Sequence, residues 1–106
     1  MSGSRITIAD ESRLDNVHPG DILREDFLIG SEIPLAEVAS GAGIDADKLK
    51  RLLASKIAVD ADTDLRLARY LRMSEGFFLG LQLDFDLEEA KRALNGDLDR
   101  IVPRAA

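Results

Sequence analysis

From residue 18 onward the apolar positions recur at helical spacing, and no stretch alternates in the way a half-buried strand would. His18-Pro19-Gly20-Asp21 opens the first predicted helix. Proline suits a first helical turn, and Asp21, Glu25 and Asp26 sit near the positive end of the helix dipole, with Ile22, Leu23 and Phe27 as the inner face. Gly30-Ser31 ends it. Pro34 begins a second helix in which Leu35, Val38, Ala39 and Ala42 fall at i, i+3, i+4 and i+7. Gly41-Ala42-Gly43 stops that helix, and Asp45 is a good N-cap for a third with Leu49, Leu52 and Leu53 inward. After a loop over residues 55–61, Asp62-Thr63 starts a fourth helix with Leu65, Ala68 and Leu71 inward. Ser74 then reads as the N-cap of a long fifth helix through Phe77, Phe78, Leu81, Phe85 and Leu87 to Ala90, Ala93 and Leu94, with Asn95-Gly96 as its stop.

The pattern predicts an all-α bundle of five helices, divided into a flexible N-terminal arm (1–17), one helical domain (18–96) and a C-terminal tail (97–106). Pro103 keeps the tail from being a long helix. In the arm the only structured hint is Ile6 and Ile8 alternating with Thr7.

The second and third helices carry the most informative spacing. Two short helices that cross steeply over a tight turn need a small residue at their contact, which Ala39 supplies. They also need a residue tolerant of positive φ four places later, which Gly43 supplies, and then aliphatic residues one turn apart to pin the second helix, as Leu49 and Leu52 are. This is a helix-turn-helix pattern. Its outward positions, Asp47, Lys48, Lys50, Arg51 and, just beyond, Lys56, are the candidate DNA contacts. Lysine and arginine donate to guanine edges or phosphates, whereas Asp47 can only accept. A plain solvated helix face accounts for the same charges.

Composition limits the alternatives. A chain of 106 residues is one domain; it has no cysteine for a disulfide or thiolate site, and its single histidine, His18, cannot build a metal centre alone. No metal or other cofactor is expected. Nothing pairs a histidine with a nucleophile or forms a phosphate-binding glycine loop, so an enzyme is not expected. No apolar run is long enough to cross a membrane and the first residues lack the features of a signal peptide, which leads to a cytoplasmic expectation. The net charge of −6 opposes general affinity for nucleic acid. Counted by segment the objection narrows, since residues 19–33 carry −3 while residues 34–61 are neutral, with Lys48, Lys50, Arg51 and Lys56 close together.

Four blocks in order resemble the HigA-type antitoxins, a branch of the Xre family of lambda-repressor-like regulators. They are His18 to Leu23 with Arg24, Glu25 and Phe27; the helix-turn-helix; Ala61-Asp62-Thr63 leading to Leu65-Arg66-Leu67-Ala68-Arg69; and Phe77-Phe78-Leu79 through Leu81-Gln82 to Asp86-Leu87. The chain departs from that family at Pro34-Leu35, where a polar pair is usual, at Glu75-Gly76, and at Phe78 in place of a tryptophan. The resemblance implies a lambda-repressor-like bundle with a central helix-turn-helix, acting as a homodimeric repressor at its own operator DNA and neutralising a HigB-type toxin, a ribonuclease that cuts messenger RNA. Phe85, Leu87 and Leu94 of the long helix are the candidate dimer surface, with ordinary core packing as the alternative for each. A stand-alone Xre-type repressor, or a protein-binding module that keeps the fold without DNA, would fit the same sequence features.

Overall fold

A computed structural model of the chain describes residues 15–105; Ile6 and Ile8 lie outside them. Every regular element among the described residues is helical. Helix α1 (Pro19–Ile22) runs directly into a π-helical segment (Leu23–Ile29), followed by α2 (Leu35–Ala42), α3 (Ala46–Leu53), α4 (Ala61–Leu71), α5 (Phe77–Leu94) and a 3₁₀ turn (Asp97–Arg100).

The core is built from Leu23, Leu28, Val38, Leu49, Leu52, Leu67 and Phe78, all buried, with Phe27 and Phe77 packed beside it. Phe78 is fully enclosed, its ring 5.0 Å from Phe77 and 5.5 Å from Phe27. Of the Ile22, Leu23 and Phe27 expected to face inward, the first helix buries Leu23, and its second buried residue is Leu28. In the π-helical segment the backbone bonds run i to i+5, as in Gly30 N–H to the Glu25 carbonyl at 2.9 Å. Residues five apart therefore stack, and Leu23 and Leu28 go inward while Ile22 and Phe27 remain half-buried.

Helix α4 also differs from expectation. Asp60 is its N-cap, accepting from Thr63 N–H, and the stripe facing the core is Thr63, Asp64, Leu67 and Ala68, with Leu71 half-buried and Leu65 exposed. Asp64 sets that rotation. Its carboxylate, 1% exposed, accepts from the backbone N–H groups of Gly76 (2.6 Å), Phe78 (2.8 Å) and Leu79 (3.0 Å). Those amides begin α5 and have no partner within their own helix. The N-cap position of α5 is Gly76, at φ 91°, with no side-chain cap of its own, so Ser74 does not serve that role and an acid from the preceding helix does.

Only Phe78 and Gln82 of α5 are buried, Gln82 through a bond from Val59 N–H to its Oε1 at 2.8 Å. From Glu89 to Ala105 every residue is exposed, including Leu94, Leu98, Ile101 and Val102. The helix thus projects well past the core that anchors its first turns. No helix among the described residues is long and apolar enough to cross a membrane.

Candidate nucleic-acid interface

The helix-turn-helix forms through backbone chemistry that its sequence supports at each step. Ala39 is buried at the contact of α2 with α3. Gly43 takes the left-handed conformation at φ 69°, and two bonds close the turn, Ile44 N–H to the Ala39 carbonyl at 2.9 Å and Gly43 N–H to the Ser40 carbonyl at 3.3 Å. This is the Schellman arrangement that glycine favours because an added Cβ would crowd the backbone there. Asp45 then caps α3 by accepting from Lys48 N–H at 3.0 Å.

Helix α3 buries Leu49, Leu52 and Leu53, which leaves Asp47, Lys50, Arg51 and Ala54 on the opposite face, all exposed. Asp47 and Ala54 lie near the centre of that outward face, with Lys50 on one flank and Arg51 on the other. Lys56 is exposed just beyond the helix. The structure separates Lys48 from this set. Its Nζ lies 3.3 Å from Asp60 Oδ2, so its charge is directed toward the start of α4. The pKa of Asp60 is held down to about 2 chiefly by Thr63, whose N–H donates to Oδ1 at 2.8 Å, with Lys48 adding to the effect. That pair is mostly solvated and holds geometry more than it stabilises.

At the start of α2, Leu35 is half-buried and packs against the core, so this position supplies no polar group. Glu37, in the first turn of the same helix, accepts from the Tyr70 hydroxyl at 2.8 Å, which raises the tyrosine pKa. The ring of Tyr70 lies so close over Gly41 that any side chain there would meet it.

His18 lies at the start of α1. It is buried, its Nδ1 accepts from Gly20 N–H at 2.9 Å as the N-cap of α1, and its ring meets Phe85 edge-on at 4.9 Å. Burial lowers its pKa against the pull of Asp21, Asp86 and the Ile57 carbonyl. Phe85 is accordingly half-buried within its own chain, whereas Leu87 and Leu94, the other two residues considered for a dimer surface, are 49% and 38% exposed. Leu83, not singled out from sequence, is 57% exposed.

No protein-family model matches the chain. Solved structures do, over nearly their whole lengths. The antitoxin GraA is 32% identical, covering 87% of this chain and 99% of that one, with a TM-score of 0.75. The Pseudomonas aeruginosa protein PA4674, solved in complex with an 18-base-pair operator DNA, is 30% identical over 87% of this chain and 98% of that one, at a TM-score of 0.80. The Pseudomonas aeruginosa antitoxin HigA, solved with the higBA promoter, is 27% identical, covering 87% and 100% of the two chains at a TM-score of 0.76. With an all-helical fold, a closed helix-turn-helix and likeness at these levels, this chain belongs to the HigA family of antitoxins.

Proposed function

We propose that this protein is the antitoxin of a toxin–antitoxin pair that represses its own operator as a dimer and neutralises a HigB-type ribonuclease. The outward face of α3 carries the reading: Lys50 and Arg51 flank it on a helix whose other side is pinned in the core, as insertion into a major groove requires. Two relatives solved with promoter or operator DNA support the same use of the fold. In this reading Lys50 and Arg51 meet bases or phosphates, Lys56 meets the backbone, Asp47 accepts from a cytosine amine, and Lys48 acts indirectly through Asp60.

Dimerisation follows from the part of α5 that its own core leaves bare. Leu83, Leu87, Ala90 and Leu94 are all exposed and spaced 4, 3 and 4 residues apart, the seam of a two-helix contact. A second copy packed along that seam would bring two α3 helices to half-sites about one turn of DNA apart. The acidic balance of the chain, −6, suits association with a basic ribonuclease.

The test is a titration against a duplex from the protein's own upstream region at low and physiological salt, with Lys50→Ala and Arg51→Ala beside the unmodified chain. The expected result is sequence-specific binding that weakens on the order of tenfold or more in each variant, since a good base contact is worth ~1–3 kcal/mol. Absence of binding at either salt would refute the repressor mechanism. Toxin neutralisation is checked by co-expression with a small ribonuclease encoded beside the gene: co-purification and restored growth are expected.

A further inference from the structure

Two arginines on other helices hold the recognition helix α3, one at its C-terminal end and one at the turn that leads into it. At its C-terminal end, Arg24 of the π-helical segment donates from Nη1 to the carbonyl of Leu53, the last residue of α3, at 2.6 Å. The same guanidinium meets Asp21 Oδ1 from Nη2 at 3.3 Å, and that carboxylate oxygen also accepts from the Ser55 hydroxyl at 2.9 Å, just past the helix end. Glu25 Oε2, 3.0 Å from Nε, takes up the remaining side of the fork and is the first cause of the raised Arg24 pKa. Beside this network the backbone of Gly20 approaches the Leu52 carbonyl so closely that any Cβ would collide with it.

At the N-terminal end, Arg66 of α4 reaches the turn before α3. Its Nη1 lies 3.3 Å from the Gly43 carbonyl and 3.4 Å from that of Ala42, while its Nε is fixed by Asp62 at 2.6 Å. A guanidinium suits both posts because its planar fork can satisfy a carbonyl and a carboxylate at once, which an ammonium does less well.

We propose that Arg24 and Arg66 are positioning residues for operator binding: Arg24 fixes the C-terminal end of α3 and Arg66 the turn that leads into it, both through backbone carbonyls, and together they set the angle at which Lys50 and Arg51 enter the groove. This rests on the operator-binding reading above. A charge on the surface of a DNA-binding domain ordinarily reads as a phosphate contact. Here Arg24 is already committed to Leu53, Asp21 and Glu25, so its work is internal to the protein. Displacements near an ångström at a recognition surface cost affinity even where no contacting residue has changed.

The experiment pairs Arg24→Lys and Arg66→Lys, which keep the charge and lose the fork, with Ser55→Ala and with Lys50→Ala as a direct-contact control. Two readouts are taken on the full chain. The first is fluorescence anisotropy with the upstream duplex across a salt series. The clamp predicts that Arg24→Lys binds about tenfold more weakly, Arg66→Lys and Ser55→Ala a few-fold more weakly, and all three keep the unmodified salt slope, whereas removing a phosphate contact lowers the slope by about 1. The second is amide hydrogen exchange without DNA. The amides of Ser55 and Lys56, bonded to Leu52 and Arg51, should exchange about tenfold faster in Arg24→Lys, while those of Leu67 and Ala68 in the core do not change.

Unchanged affinity in Arg24→Lys, a salt slope reduced by about 1 when Arg24 is instead changed to Gln, or unchanged exchange at Ser55 and Lys56 would each overturn the proposal. If the unmodified chain binds no upstream duplex, operator binding itself is refuted, and the exchange measurement still decides whether Arg24 holds the end of α3.

Discussion

Replacing Asp64 should damage this fold more than any other single change outside the apolar core. The carboxylate takes three N–H bonds, from Gly76, Phe78 and Leu79, and those amides are the unpaired donors at the start of α5. A hydrogen bond to a charged group contributes ~1.5–3 kcal/mol net, and a buried donor left without an acceptor costs ~1–3 kcal/mol. The Phe78 amide is buried and incurs that cost in full in Asp64→Ala, while the Gly76 and Leu79 amides are part-buried and recover some of it from water. The loss comes to about 3–4 kcal/mol, a large part of the ~5–15 kcal/mol that stabilises a typical domain. At ~4–8 °C per kcal/mol for a domain of this size, the melting point should fall on the order of 15–25 °C. Asp64→Asn keeps one oxygen for the Phe78 and Leu79 amides, turns an N–H₂ toward Gly76 and removes the negative charge from the helix N-terminus, so about 2 kcal/mol is expected. Thermal and urea unfolding followed by far-ultraviolet circular dichroism measure both, with Leu65→Ala, exposed on the same helix and expected to cost under ~1 kcal/mol, as the comparison. An Asp64→Ala variant within ~1 kcal/mol of the unmodified protein would refute the view that α4 caps α5.

Three further outcomes can be measured on the same preparations. Because burial holds His18 below the ordinary histidine value of 6.5, the folded state binds its proton less readily than the unfolded state; stability should be full above pH 6.5 and decline as the pH falls below it, a slope that His18→Asn should flatten in pH-dependent urea titrations. Gly43→Ala must place a side chain at φ 69° with its Cβ near Arg66, so it should cost ~1–2 kcal/mol in chemical unfolding and loosen operator binding as well. Leu87→Glu with Leu94→Glu should convert the proposed dimer to monomer in light scattering coupled to size exclusion while leaving the melting of the helical domain nearly intact, since both residues are exposed in the single chain. A monomer mass for the unmodified chain, or a dimer mass that persists in the variant, would remove α5 as the seam.

The elements were legible wherever a single physical requirement fixed a residue. Gly43 at a left-handed turn, Asp45 as an N-cap and Leu49, Leu52 and Leu53 at helical spacing each follow from local chemistry, and the helix-turn-helix came with them. Leu65 and Asp64 show where that reasoning stops. An apolar residue reads as inward and an acid as outward, but the rotation of α4 was decided by an electrostatic need in α5, whose first turn offers only Glu75-Gly76 and two phenylalanines and has no cap of its own. The same holds for the candidate interface. The exposed charges Lys50 and Arg51 are readable from the period of α3 alone, whereas Lys48 is drawn aside by Asp60, and Arg24 and Arg66 act through carbonyls 29 and 23–24 residues away. Periodicity reports what one helix needs from the core. Where one helix supplies another's missing hydrogen bonds, as Asp64 does for α5, the polar residue takes the inward position and the pattern misplaces its neighbours.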